Sequence, residues 1–186
     1  MHILKKTVIA ISCFVCPIAA QASENYISVG ATHLGGNDVS ASGGGFSWAS
    51  FGSKEQNVGF IVTSSLAKED VDGTGDVNNL FIPYRGTLKV FDINVGPIFK
   101  VQNLSWLRLY PLIGISHANV DINACLDHIC ASDNESKNEF NYGVGLQLDI
   151  PTTNIYTEFN IKRVMGDFNK TNMYFGVGYH LSNTLY

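Results

Sequence analysis

The residues best equipped for chemistry are two cysteines in one short polar segment, Cys125-Leu126-Asp127-His128-Ile129-Cys130. Two thiolates and the His128 imidazole supply at most three metal ligands, and no other Cys or His lies nearby in sequence. In an oxidising compartment an intraloop disulfide, Cys125–Cys130, is the preferred reading over a metal centre. A second cluster, Asp70-Val71-Asp72-Gly73-Thr74-Gly75-Asp76, spaces Asp70, Asp72 and Asp76 as a calcium turn would, with glycine for the bend. The full twelve-residue loop and its closing Glu are missing, so a solvated acidic tip is the stronger expectation. The third pair, Ser116-His117, puts a hydroxyl and an imidazole next to each other. Neighbours on an extended strand point to opposite faces, so the two cannot act together and no nucleophile–base pair is placed. No catalysis, cofactor or metal is expected.

The elements that carry these residues follow from the leader and the period of the chain. Lys5 and Lys6, an apolar stretch from Thr7 to Ile18 and Ala20-Gln21-Ala22 read as a cleaved secretory signal over residues 1–22. A lipoprotein signal ending at Cys13 is the rival, with a very short apolar run before it. The leader would take Cys13 and Cys16 with it, leaving Cys125 and Cys130 as the only cysteines of an exported domain over residues 23–186. The whole chain has 12 basic and 16 acidic residues, and losing Lys5 and Lys6 deepens the acidic balance. Nucleic acid is therefore excluded as a partner.

Beyond the leader the chain alternates at period two. Phe91, Ile93, Val95, Phe99 and Val101 interleave with Asp92, Asn94, Gly96 and Lys100. Phe140, Tyr142, Val144, Leu146, Leu148 and Ile150 interleave with Asn141, Gly143, Gly145, Gln147 and Asp149. The same rhythm recurs in eight segments. Short turns near residues 53, 103 and 153 alternate with longer polar loops near 38, 72, 130 and 168, an asymmetry of outer-membrane barrels. Lys68 to Asn79 and Asp121 to Asn138 read as loops, and Leu80 to Lys89, interrupted by Pro83 and Gly86, as a loop running into the fourth strand.

Parity decides which side faces what. One face is bulky and apolar, and the other holds glycine and polar residues. Only 15% of the chain is charged, against a usual ~25%. A soluble barrel would fill its centre with the bulky residues and charge its exterior. The reverse arrangement implies an all-β, eight-stranded, antiparallel up-and-down transmembrane barrel, monomeric, with lipid outside and a filled lumen. Asp92, Lys100, Arg108, Asp149, Glu158 and Lys162 fall on the inner parity and cancel in charge, so a paired lumen network is expected. Phe91, Phe99, Tyr142, Phe159, Phe175 and Tyr179 fall on the outer parity.

Four segments carry a family resemblance: Asn94-Val95-Gly96-Pro97-Ile98-Phe99, Leu109-Tyr110-Pro111-Leu112-Ile113-Gly114, Tyr142-Gly143-Val144-Gly145-Leu146-Gln147 and Gly176-Val177-Gly178-Tyr179-His180-Leu181. With them the chain resembles the Ail/Lom family of small outer-membrane barrels, which includes the OmpX-like proteins. The resemblance implies an outer-membrane barrel with four surface loops. Some members look to be adhesins or invasins of host cells or matrix, and some confer complement resistance, so adhesion and virulence are the expected role. A structural or envelope-stress barrel with no ligand is the alternative. The chain departs from the family pattern at its end, where Leu181 stands in place of a closing aromatic and residues 182–186 run on. The loops are acidic, which disfavours a polyanionic ligand. Leu126, His128 and Ile129 inside the cysteine ring, and Phe168 in the last loop, are the surface candidates for binding host surface, matrix or complement proteins; packing under their own loop is the equal alternative for Leu126 and Ile129.

Overall fold

The computed structural model describes residues 24–36, 39–77, 80–126, 129–166 and 170–182. The expected leader over residues 1–22, and His128 and Phe168, lie outside them. The strands are β1 (Glu24–Gly36), β2 (Val39–Phe51), β3 (Val58–Val77), β4 (Leu80–Val101), β5 (Leu104–Leu126), β6 (Ile129–Asp149), β7 (Ile155–Val164) and β8 (Thr171–Ser182). Each pairs antiparallel with the next, and β8 returns to β1 to close the barrel. Closure removes the free edges of an open sheet, the condition for crossing hydrocarbon with strands.

Side-chain parity follows the sequence reading. Val95, Phe99, Leu109, Ile113, Phe140, Tyr142, Phe159, Phe175 and Tyr179 are exposed on the outer wall. The outer face changes character within one outward-facing step on several strands: Leu66 gives way to Lys68, Phe91 to Lys89, Ile115 to His117 and Ile161 to Arg163. That step marks the edge of the apolar band. On β4 the band runs from Phe91 to Val101, which at ~3.3 Å per residue and a ~40° tilt spans about 25 Å. Trp48 is one exception, with Asn25 and Ser50 beside it. It has outer parity yet is buried, because the Phe60 ring meets it edge-on at 4.9 Å and its indole N–H donates to Asn25 Oδ1 at 3.3 Å.

The lumen is filled in storeys. Tyr26, Phe51, Ile61, Ile98, Tyr110, Leu112 and Tyr156 form an apolar cluster towards the short turns. Leu34, Ala41, Ala67, Leu88, Val90 and Ala118 form another towards the long hairpins. A hydrogen-bonded polar belt lies between. Inward tyrosines lie flat against the wall, and glycines make room for them: a Cβ on Gly145 would collide with the Tyr110 ring, and one on Gly178 with that of Tyr156.

Three sequence expectations are corrected. Lys68–Asn79 and Asp121–Asn138 are not loops. β3 to β6 run through their described residues, 68–77, 121–126 and 129–138, as paired hairpin arms. These arms lie beyond the apolar band, which erases the apolar rhythm but not the hydrogen-bond ladder. Asp70 to Asp76 therefore lie along a strand and not in a turn. Leu80 to Lys89 is also strand, despite Pro83. Pairing of β4 with β5 stops at Tyr84↔Ala124, one residue short of Pro83, so its missing N–H breaks no bond on that side.

Candidate functional site

The six expected lumen charges do not form one network. Lys162 Nζ meets Asp92 Oδ2 at 3.2 Å, and both are fully buried. Ser65 and Asn172 also donate to that carboxylate. Arg108 forks onto both oxygens of Asp149, with Nη1 donating to Oδ2 at 2.8 Å, while its Nε donates to Gln147 Oε1 at 2.9 Å. Its guanidinium stacks 4.0 Å over the Tyr26 ring. Lys100 pairs with Glu24 at 2.6 Å and with none of the other five. Glu158 has no cation within ion-pair distance among the described residues. Its carboxylate accepts from Ser28 (2.8 Å), Ser47 (2.5 Å), Tyr110 (2.7 Å) and Gln147 (3.1 Å). Four neutral donors thus do the work of a counter-ion in a medium where an unmatched charge is costly. Glu24, Ser28 and Ser47 went unnoticed in the sequence; their inward parity was readable, but partners from β1 and β2 to β7 exist only once the barrel closes.

Outside the band, β3 to β6 form a four-stranded sheet that projects past the barrel. β2 pairs with β3 only as far as Ser42↔Lys68, and β7 with β6 only as far as Val164↔Asn141. Beyond Lys68 on β3, and beyond Phe140 on β6, whose carbonyl accepts from the Met165 N–H at 2.8 Å, no strand among the described residues flanks these edges, while β3–β4, β4–β5 and β5–β6 stay paired. The outward face is a polar lattice. Lys68 meets Asp70 at 3.0 Å, Lys89 meets Asp121 at 3.8 Å, and Arg85 meets Asp72 at 3.9 Å. The hydrogen bond from Lys68, aided by Thr87, holds the Asp70 carboxyl below its ordinary value. His117 Nδ1 bonds Asn138 Oδ1 at 2.7 Å, and Asn134 bonds Asp121. The inner face is apolar where Val71 and Val120 pack on the Leu34–Leu88 cluster.

The sequence candidates separate as follows. Cys125 and Cys130 face each other across β5 and β6 at a Cα separation of 4.1 Å, joined by a disulfide at the hairpin tip. Leu126 and Ile129 are the next backbone pair out. Asp70 and Asp72 share the outer face of β3 but each is drawn to a basic side chain. Among the described residues no three His, Cys, Asp or Glu side chains gather in a metal-binding group. Ser116 is buried in the lumen beside Asn141, and His117 points out. His33 and His180 lie far apart along the β1–β8 pair, where His33 stands opposite Met173 and His180 opposite Tyr26.

A closed barrel with a lipid-facing apolar band, a filled polar lumen and a hydrophilic extension on one side is an integral β-barrel membrane protein. The chain matches the outer membrane protein beta-barrel domain family over residues 7–180 and belongs to it; it is a protein of the bacterial outer membrane. Its fold is that of Ail, the attachment invasion locus protein of Yersinia pestis. The Ail structure in complex with the heparin analogue sucrose octasulfate shares 21% identity at a TM-score of 0.68, covering 85% of this chain and 98% of that one. Ail without that ligand shares 20% identity at a TM-score of 0.65, covering 86% and 99%. A major outer membrane protein from Thermus thermophilus shares 10% identity at a TM-score of 0.55, covering 84% and 99%. No curated protein matches the sequence.

Proposed function

We propose that the protein is a cell-surface recognition module that adheres to host cells or matrix, or protects the cell from complement. One observation carries this reading: four strands extend well past the apolar band into a sheet whose outer edges, on β3 and β6, have no flanking strand among the described residues. A barrel that served only to span the membrane has no use for such an extension. Open edges offer main-chain hydrogen bonds to an extended partner, and side chains alternate along them to select it. The edges are charged, with Glu69, Asp70 and Asp72 on β3 and Asp133, Glu135 and Lys137 on β6. Such charges suppress self-pairing and bias the choice towards partners of basic character. The Ail structure holds a heparin analogue; the acidic edges argue for a protein partner here rather than a sulfated glycan. Catalysis has no place in this reading, since Ser116 and His117 face opposite ways. The protein acts as a monomer embedded in outer-membrane lipid.

The test is truncation. Replacing residues 70–85 and 119–136 by short turns removes the sheet and leaves the barrel. Intact cells displaying the truncated chain should lose binding to host cells and immobilised matrix, or lose serum survival. Unchanged values in both assays would leave the structural or envelope-stress barrel as the answer, a reading that the tightly filled lumen also suits.

A further inference from the structure

The wall between β4 and β5 is interrupted inside the apolar band. Pairing runs to Val95↔Ile113 on one side and resumes at Phe99↔Leu109 on the other, with none between. The shared register sets Pro97 directly opposite Pro111, and both point outward. Neither has an N–H to donate to the other's carbonyl, so the ladder fails there. Two apolar grooves flank the gap on the lipid side. One, of about 450 Å³, has Gly59, Gly96 and Pro97 in its floor and Phe60, Val95 and Ile113 around it. The other, of about 390 Å³, lies between Phe99, Leu109, Val144 and Phe159, with Gly145 at its base. They meet at Pro111. Gly96 and Gly145 belong to the inner parity, so both grooves reach down to the backbone of the wall.

We propose that this breach binds one acyl chain of a phospholipid from the periplasmic leaflet. The occupant follows from position. The grooves open only to hydrocarbon, and their lining carries no charge or side-chain hydrogen-bonding group apart from the edge of Tyr110. The leaflet follows from register. Pro97 stands four residues from Val101 at the short-turn end of the band and six from Phe91 at the other. At ~3.3 Å per residue and a ~40° tilt, that places the breach about 10 Å from the short-turn boundary and about 15 Å from the far one. Short turns face the periplasm in outer-membrane barrels, and that leaflet is built of phospholipid. A chain laid in the groove covers backbone that the prolines leave bare, and it gains contact on three sides instead of one. This inference is independent of what the projecting sheet recognises.

Native mass spectrometry of the full chain, reconstituted with phosphatidylethanolamine and lipopolysaccharide and then released from detergent, tests it. The wild type should carry a retained phospholipid. Val144→Phe fills one groove without touching the ladder, and should reduce the retained fraction several-fold. The Pro97→Val/Pro111→Val pair, which lets the ladder close, should do the same. Val177→Phe, on the outer face of β8 away from the breach, should not. Equal retention in the groove variants would overturn the proposal. So would equal loss in Val177→Phe, retention of lipopolysaccharide instead, or a dimer mass in place of the lipid adduct. If the proline pair fails to fold, as judged by heat-modifiable gel mobility, Val144→Phe still decides.

Discussion

Replacing Asp92 by alanine isolates the most consequential interaction in the lumen. Asp92 Oδ2 receives Lys162 Nζ at 3.2 Å and Ser65 Oγ at 3.1 Å, as well as the Asn172 amide. Lys162 is 2% exposed, so its ammonium cannot turn to water. With Asp92 gone it keeps one neutral acceptor, Ser65 Oγ at 3.3 Å. Removing one partner of a buried pair costs about 3–5 kcal/mol, because a charge is left without compensation. Lys89→Ala should cost at most about 1 kcal/mol, since Lys89 and Asp121 meet in water on the projecting sheet. The double change Asp92→Leu/Lys162→Met removes both charges together and should cost far less than the sum of the single changes. Urea unfolding in phospholipid vesicles, followed by tryptophan fluorescence, reads all of these variants. An Asp92→Ala loss below about 1 kcal/mol, or additivity in the double variant, would refute the claim that the pair is a desolvated unit.

Gly145→Ala should cost about 1–3 kcal/mol in the same assay, because the new methyl displaces the Tyr110 ring that donates to Glu158. Glu158→Gln places an amide where Ser28, Ser47 and Tyr110 all donate, and should lose about 1–3 kcal/mol through mismatched donors. Cys125→Ser should leave the global unfolding midpoint unchanged while speeding limited proteolysis at the β5–β6 tip, since the disulfide closes only a short local loop. The purified chain should fold only with detergent or lipid present; a folded monomer in plain buffer by circular dichroism and ultracentrifugation would contradict the lipid-facing assignment of the Val95–Val177 surface.

Much of the fold was legible because strand parity is a local property. Whether Arg108 or Leu109 faces inward depends on alternation alone, and the inversion of bulky and small faces named the solvent on each side. The candidate recognition surface was less legible. Residues 68–77, 121–126 and 129–138 lack the apolar rhythm because they lie beyond the apolar band, so the cue that reveals a membrane strand vanishes although the pairing continues. Pro83 looked like a strand breaker, and only the end of β5 pairing at Tyr84 shows why it is harmless.

The amino-acid order alone set the number of strands, their inward and outward residues, the lipid-facing surface and the position of the Cys125–Cys130 ring. These follow from spacing within single segments. Which charge meets which was decided by closure. Lys100 finds Glu24 and Glu158 finds hydroxyls from β1 and β2, because register and shear bring together residues that are distant along the chain, and no local pattern encodes that geometry.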